Sequence, residues 1–360
     1  MAATDLSSSS FELPDTIEAI EFYYKQGLTD GLPVIPPTPE RVQQFLDCAG
    51  LEPKDVLGTR PSRNWVVTAD KVAINAVMAG CLPEYAPVVA AAVRALLEPD
   101  FNASAIAETA GTSAPLMMVN GPIRHRLNIN YGWNLFGPGW RANATMGRAL
   151  RLILINVCKE VPGITDKSTF GHPGRYTFCI AENEEASPWE PYHVEKGYPI
   201  DSSAVSLFSV FPPMEVYNQC DNAPEEILDT LSHTIAANVS CHGEVIVILS
   251  PEHAGNIDSA KWSKARVKEY IAERASVLRP TVAPHQARTG ALSGTWYPGS
   301  DDPSATGIPT TPDGIVLLVA GGGGGGHSTV LPTWGKGLIS KSAIQPVVEP
   351  LGNVSTVDRK

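Results

Sequence analysis

The sequence predicts an α/β protein with a mixed or mostly parallel sheet, helices packed on its faces, and a helix-rich N-terminal third. Two observations lead to this prediction. Along the second half, short apolar stretches with strand character alternate with stretches of helical period, and this alternation is typical of layered α/β folds. The first third contains mostly helical stretches, and the chain is 43% apolar, which is enough to fill a sizeable core.

Four helices are predicted before the first strand. Apolar residues recur at helical spacing in each of them, and three of the four stretches end at a glycine. The predicted stretches are 15–27, 38–50, 68–80 and 87–99. The last is so apolar that we expect it to be buried on most sides.

The remaining chain predicts strands that alternate with helices. Strands are expected at 114–120, 174–181, 204–211, 244–250 and 314–320, and helices at 141–157, 222–239, from 250 onward and at 263–276. No internal repeat is visible. We divide the chain into a disordered lead (1–13), a main catalytic-type α/β domain (14–280), a Pro/Gly/Ser-rich loop or linker (281–313), and a C-terminal strand with a glycine-rich segment (314–360) that packs on the main domain.

Composition narrows the function classes. The net charge of −11 disfavours nucleic acids and anionic membrane surfaces as partners, because both require clustered basic charge. Six cysteines without CxxC spacing indicate reduced thiols, and the N-terminus lacks the pattern of a signal peptide. No apolar run approaches the roughly 20 residues of a membrane span. We therefore expect a cytoplasmic protein.

The stretch CIAENEEASPWEPYHVE concentrates glutamates without a lysine or arginine. Glu182, Glu184, Glu185 and His193 follow a predicted strand, and ligand sites of open α/β sheets lie at the carboxyl ends of strands. Crowded carboxylates raise one another's pKa, so these residues are candidates for acid/base catalysis. They are also candidates for holding a divalent cation. The alternative is a solvated acidic loop with Trp189 packed into the core.

A second candidate pair follows another predicted strand. Glu252 and His253 lie in the first turn of a helix that starts at Ser250. The positive end of the helix dipole favours a neutral imidazole, which suits a general base. The alternative is a capped helix with an exposed histidine.

Candidate substrate-binding residues come from loops that precede helices or follow strands. Arg141, Asn143 and Thr145 open a helix after a Gly/Pro loop, where free N–H groups and a guanidinium suit an anion; the alternative is an ordinary loop–helix junction. Asn120 ends a strand. In the six-glycine run we single out Gly323 and the following His327, because glycine permits close backbone approach to a ligand or to another chain.

Cys81 follows a helix end, and a packed structural thiol is the default there.

Four segments, LTDGLPVIPPTPERV, AINAVMAGCLPEYAPVV, GPGWRANATMGRALRLIL and CIAENEEASPWEPYHVE, resemble a poorly characterised family of bacterial and fungal proteins. Members of that family occur beside small proteins with a selenocysteine- or cysteine-Gly-Ser-Cys motif. The resemblance covers roughly residues 28 to 280 and the glycine-rich strand. It implies redox or carbon–heteroatom cleavage chemistry in a two-component system, with the thiol or selenol supplied by a partner.

The leading functional prediction is a cytosolic enzyme that acts on a small polar, anionic metabolite by lyase- or hydrolase-type acid/base chemistry. The cofactor is unknown, with a divalent cation as one option, and a homo-oligomer is expected. Two alternatives stay open. The chain is either a subunit that completes the active site of a small thiol or selenol protein, or a non-catalytic metabolite-binding protein.

Overall fold

A computed structural model describes residues 6–219, 222–238, 244–282, 311–335 and 340–350. The helix-rich start is confirmed. It consists of α1 (Thr16–Lys25), α2 (Pro39–Ala49), the hairpin β1 (Val56–Arg60) and β2 (Trp65–Thr68), α3 (Ala69–Ala79), α4 (Ala86–Leu97) and α5 (Ala103–Glu108). Most of the predicted 281–313 linker lies outside the described residues.

The central and C-terminal parts alternate strands with helices, as expected. The central elements are β3 (Ala114–Asn120), α6 (Ile123–Arg126), α7 (Arg141–Asn156), β4 (Cys179–Ala181), α8 (Tyr192–Glu195), β5 (Ala204–Val210) and β6 (Met214–Tyr217). The C-terminal elements are α9 (Pro224–Ala237), β7 (Val245–Leu249), α10 (Pro251–Ser259), α11 (Lys264–Val282), β8 (Ile315–Val319), β9 (His327–Pro332) and β10 (Ala343–Pro346). No helix in these described ranges is long and apolar enough to cross a membrane.

Two four-stranded mixed sheets form the centre of the α/β fold. Their strand orders are β10-β5-β3-β4 and β6-β9-β7-β8. Alternate residues of the strands face two different layers. Met118 of β3 and Ile248 of β7 belong to the same apolar cluster between the sheets, whereas Met117 and Val247 face the helices that cover the outer sides. The molecule is therefore a four-layer sandwich with helices outside and two sheets inside.

The two sheets share one topology, although the sequence shows no repeat. In each sheet a central strand (β3 or β7) pairs in parallel with the next strand (β4 or β8) and antiparallel with the one after it (β5 or β9). The strands of the two sheets are also paired in the same register. The first residue of β10 lies opposite the middle of β5 and β3 (Ala343, Leu207, Met117), and the first residue of β6 lies in the same way opposite β9 and β7 (Met214, Val330, Val247).

We call each four-stranded sheet with its helices a unit. The two units exchange their fourth strands, β6 and β10. β6 follows β5 along the chain but pairs with β9 of the second sheet, and β10 follows β9 but pairs with β5 of the first. Val210 and Thr333 form an antiparallel bridge at the crossing. The N–H of Phe211 donates to Pro332 at 2.8 Å, and the reciprocal bond from Trp334 measures 2.7 Å. The two units are therefore related by an approximate two-fold axis at this bridge.

One strand is shorter than its alternation predicts. A strand is expected from Gly174, but β4 begins at Cys179 because Pro173 starts a helical turn that the His172 side chain caps. Gly147 of α7 also lies against this segment. A Cβ on Gly147 would sit 2.6 Å from the Phe178 nitrogen, so the helix approaches the chain too closely for any side chain.

This contact generates a stability prediction. Gly147→Ala should destabilise the protein by roughly 1–3 kcal/mol through overpacking, although Gly→Ala in a helix interior normally stabilises. Gly255→Ala in α10 is the matched control, because a Cβ there meets nothing within 4 Å. Urea unfolding of both variants tests this. Equal stability of the two variants would contradict the close approach of α7 to β4.

Candidate functional site

The acidic stretch and the glycine run occupy equivalent places at the carboxyl ends of the two sheets. The Glu182 N–H donates to Val119 across the end of β4, as the Ala320 N–H donates to Leu249 across the end of β8. The two ends also touch, because the Asn183 N–H donates to the Val319 carbonyl at 2.8 Å. The sheet edge that the sequence indicates as a ligand site is thus shared by both units.

The acidic stretch is compensated by an arginine distant in sequence. Arg124 of α6 is only 2% exposed, and its Nη2 lies 2.9 Å from both Glu184 and Glu185. Its Nε donates to the Gly121 carbonyl and its Nη1 donates to the Glu182 carbonyl. The guanidinium therefore joins the ends of β3 and β4, and the glutamates are not a free acidic surface.

Glu182 is buried within this cluster. Its Oε2 accepts hydrogen bonds from Asn120 at 2.6 Å and from the Tyr192 N–H at 2.9 Å. Burial raises its pKa to about 7, although the two hydrogen bonds and Lys264 favour the charged form. A carboxyl group with this pKa can exchange a proton near neutrality, but it has no open route to solvent because it is 1% exposed.

Glu185 lies at the outer side of the cluster and binds an exposed histidine. His125 Nε2 lies 2.8 Å from the Glu185 carboxylate, and both side chains are about half exposed. Burial opposes ionisation of Glu185, but hydrogen bonds from Arg124 and His125 outweigh it and lower its pKa to about 2.

Sequence reasoning missed both partners. The signal was the basic run Arg124–Arg126 directly after a predicted strand, at the same edge as the glutamates.

His193 is completely buried beside this cluster. Its Nδ1 lies 4.0 Å from Glu184, and main-chain groups of Pro199 and Ile200 also lie near the ring and favour its protonated form. Burial lowers its pKa, and the nearby Glu184 carboxylate opposes that change. The structure thus places Glu182, Glu184, Glu185 and His193 near one another, with Glu182 and His193 buried, Glu184 partly buried and Glu185 exposed.

The second predicted pair is engaged in internal bonds. Glu252 accepts the Gly326 N–H at 2.8 Å. His253 is 2% exposed, its Nε2 lies 3.0 Å from the Asn218 carbonyl, and its Nδ1 lies 2.7 Å from the Ser328 hydroxyl. Because a carbonyl only accepts, Nε2 carries the proton and Ser328 donates to Nδ1 in the neutral ring. These residues fix the end of the glycine run and the start of β9.

The residues predicted to bind an anion at the start of α7 instead hold the main chain. Arg141 donates two hydrogen bonds to the Gly80 carbonyl at the end of α3. Asn143 is buried and bonds to both main-chain groups of Asn130. Thr145 donates to the Arg141 carbonyl. An anion could reach Asn143 only by breaking bonds that shape the 130–140 loop.

An open cleft of about 520 Å³ lies at the carboxyl ends of β7 and β8. Its lining residues include Ile248, Ala320, Trp133 and three residues of the glycine run, Gly321, Gly322 and Gly324. His327 also lines it, and its Nδ1 lies 2.9 Å from Glu215 of β6. His327 and the glycine run were predicted as ligand contacts, whereas Glu215 and Trp133 were not, since the pairing of β6 with β9 cannot be seen in the sequence.

The cysteines described by the structure show no sign of activation. Cys48, Cys81, Cys158 and Cys179 are free thiols. Burial raises the pKa of Cys81 to about 12, even though Thr145 and nearby arginines favour the thiolate. Cys81 is therefore a packed structural thiol. Within the same described ranges, no group of three or more His, Cys, Asp or Glu side chains is placed to hold a metal ion.

Comparison of the chain with protein-family models, with curated proteins and with solved structures finds no match in any of the three. The resemblance of the four sequence segments to a bacterial and fungal family therefore stays a prediction. The functional argument depends on the geometry of the sheet edge.

The Arg124 cluster generates a second stability prediction. Arg124→Met leaves the largely buried Glu184 carboxylate and the main-chain carbonyls of Gly121 and Glu182 without their partner, so the free energy of unfolding should fall by about 3–5 kcal/mol. Arg126→Met is the matched control on the same helix, because Arg126 pairs with Glu349 at the surface and should contribute at most about 1 kcal/mol. Denaturant unfolding of the two variants provides the measurement. Similar losses would show that Arg124 has no special role.

A third prediction concerns pH. The folded protein retains the Glu182 proton between its ordinary pKa of 4.5 and about 7, whereas the unfolded chain releases it. This group therefore lowers the free energy of unfolding as pH rises through that interval. Glu182→Gln should gain stability relative to the natural chain with rising pH, by up to roughly 3 kcal/mol at pH 8. Urea titrations at pH 5 to 8 measure this difference, and a difference that is constant with pH would contradict it.

Proposed function

We propose that this protein is an enzyme that acts on a small polar metabolite in the cleft at the ends of β7 and β8, by lyase- or hydrolase-type proton transfer. The observation that carries the proposal is the His327–Glu215 pair, which lines the cleft with 2.9 Å between Nδ1 and the carboxylate. An imidazole oriented by a carboxylate is a common general acid/base.

The orientation of His327 leaves one nitrogen for a substrate. Nδ1 lies 2.9 Å from the Glu215 carboxylate, so Nε2 is the ring nitrogen that is left for a substrate. A Cβ on Gly325 would lie 3.4 Å from Nε2 and 2.9 Å from the neighbouring ring carbon, so glycine at this position keeps Nε2 uncovered. Tyr217 packs against the other side, with ring centroids 5.0 Å apart. The imidazole is thus held on two sides and open on the third.

In this proposal the acidic stretch supports the site instead of contacting the substrate. Glu182 and Glu184 are engaged by Asn120 and Arg124, and the guanidinium of Arg124 lies over the Tyr131 ring at 5.4 Å. The Tyr131 carbonyl accepts the Gly321 N–H at 2.9 Å. The cluster therefore fixes the loop on which the glycine run is anchored. We place the enzyme in a reducing, cytoplasmic compartment, which the free thiols support.

This proposal predicts loss of turnover without loss of fold. Purified protein is incubated with the small-molecule fraction of a cell extract, and consumed metabolites are identified by mass spectrometry. His327→Gln should lower the rate of the identified reaction about 10²–10⁴-fold, the usual contribution of a positioned acid/base. Glu215→Gln should lower it less, because it removes only the orienting group.

His233→Gln is the control, because His233 is exposed on α9 and is not among the residues that line the cleft. It should retain full turnover. If the natural chain converts no metabolite, or if His327→Gln converts the substrate at the natural rate, the proposed site is wrong. Binding of a metabolite without conversion would favour a non-catalytic binding protein.

A further inference from the structure

Internal contacts or backbone conformation explain four of the six consecutive glycines. A Cβ on Gly322 would lie 2.1 Å from the indole of Trp133, and one on Gly326 would lie 2.4 Å from the Asn218 carbonyl oxygen. Gly321 and Gly325 have φ values of +96° and +91°, which side chains rarely adopt.

Gly323 and Gly324 have no such reason to be glycine. A Cβ on Gly323 meets nothing within 4 Å, one on Gly324 meets only the Trp133 ring at 3.9 Å, and neither residue has a positive φ. Gly324 lines the cleft. The fold itself therefore accepts a side chain at both positions, so neither packing nor backbone conformation accounts for glycine there.

The same segment carries unused hydrogen-bond donors. Gly321 donates to Tyr131 and Gly326 donates to Glu252, but the N–H groups from 322 to 325 donate to no residue in the described part of the chain. Where the chain bends, successive free N–H groups can converge into an anion-binding concavity, and the chain bends at Gly323 and Gly325. No lysine or arginine occurs among the described residues that line the cleft, so an anion there would depend on neutral donors, and these main-chain N–H groups are among them.

An exposed aromatic surface lies beside these donors. One side of the Trp133 indole packs on Gly322, yet the side chain is still 68% exposed. A ring held this way needs little further ordering to stack on a planar molecule. The donors and the indole thus offer two adjacent contacts, one for a negative group and one for a flat apolar group.

We propose that the cleft recognises a planar carboxylic acid, either aromatic or conjugated. Its carboxylate accepts the N–H groups of Gly323 and Gly324, and its planar part stacks on the open face of Trp133. This inference names the substrate class of the proposed enzyme and so rests on that function. It places the bound molecule beside His327, whose free Nε2 completes the site.

Isothermal titration calorimetry tests the inference with benzoate, cinnamate and fumarate and with their uncharged amides. At least one acid should bind the natural protein at least tenfold more tightly than its amide. The double variant Gly323→Ala/Gly324→Ala should weaken that binding at least tenfold without lowering the melting temperature, because both Cβ atoms have room in the fold. Trp133→Leu should weaken the binding of benzoate or cinnamate more than the binding of acetate, which is titrated as the acid without a ring.

Gly255→Ala serves as the control glycine, since its Cβ also meets open space but lies in α10 outside the cleft. It should bind like the natural protein. Three results would overturn the inference: equal affinity for acids and amides, unchanged binding by the double glycine variant, or no binding of any of the acids. These outcomes are independent of turnover, so carboxylate binding with no effect of His327→Gln on catalysis would refute the proposed function alone.

Discussion

The buried guanidinium of Arg124 is the interaction on which the shared carboxyl end of the two sheets depends. It binds the Glu184 and Glu185 carboxylates and the main-chain carbonyls of Gly121 and Glu182, so one side chain connects the ends of two parallel strands. The guanidinium carbon also lies 5.4 Å from the ring centroid of Tyr131, the residue that anchors the glycine run. A charge buried this deeply is tolerable only because its donors are engaged by charged or strongly polar acceptors.

The approximate two-fold symmetry places two equivalent regions side by side at the carboxyl ends of the sheets, and the two regions differ in their side chains. Both sheets present the residues after β3 and β4, or after β7 and β8, at the same end of the sandwich. In the first unit, glutamates, an arginine and α8 fill this end. In the second unit, glycines replace the bulky residues, and a cleft stays open. One unit is therefore the support, and the other is the place where a ligand has room.

Much of the fold could be predicted from local patterns, and the rest depends on contacts between distant segments. The helices at 38–50 and 68–80 and the strand at 114–120 follow from periodicity and terminal glycines. The division into two sheets and the exchange of β6 and β10 could not be predicted, because apolar strands such as 204–211 carry no mark of their partners. The same limit applied to the site: the glutamates were found, but their compensation by Arg124 and the pairing of His327 with Glu215 required the fold.

The central claim is that ligands meet the glycine cleft and not the acidic cluster. Chemical modification of histidines by diethyl pyrocarbonate, followed by peptide mapping, tests it most directly, because His327 and His125 are about half exposed while His193 and His253 are buried. The small-molecule fraction of a cell extract should slow modification of His327 and leave that of His125 unchanged, with His193 unreactive until the protein unfolds. Protection of His125 alone, or rapid modification of His193 in the folded protein, would contradict the account.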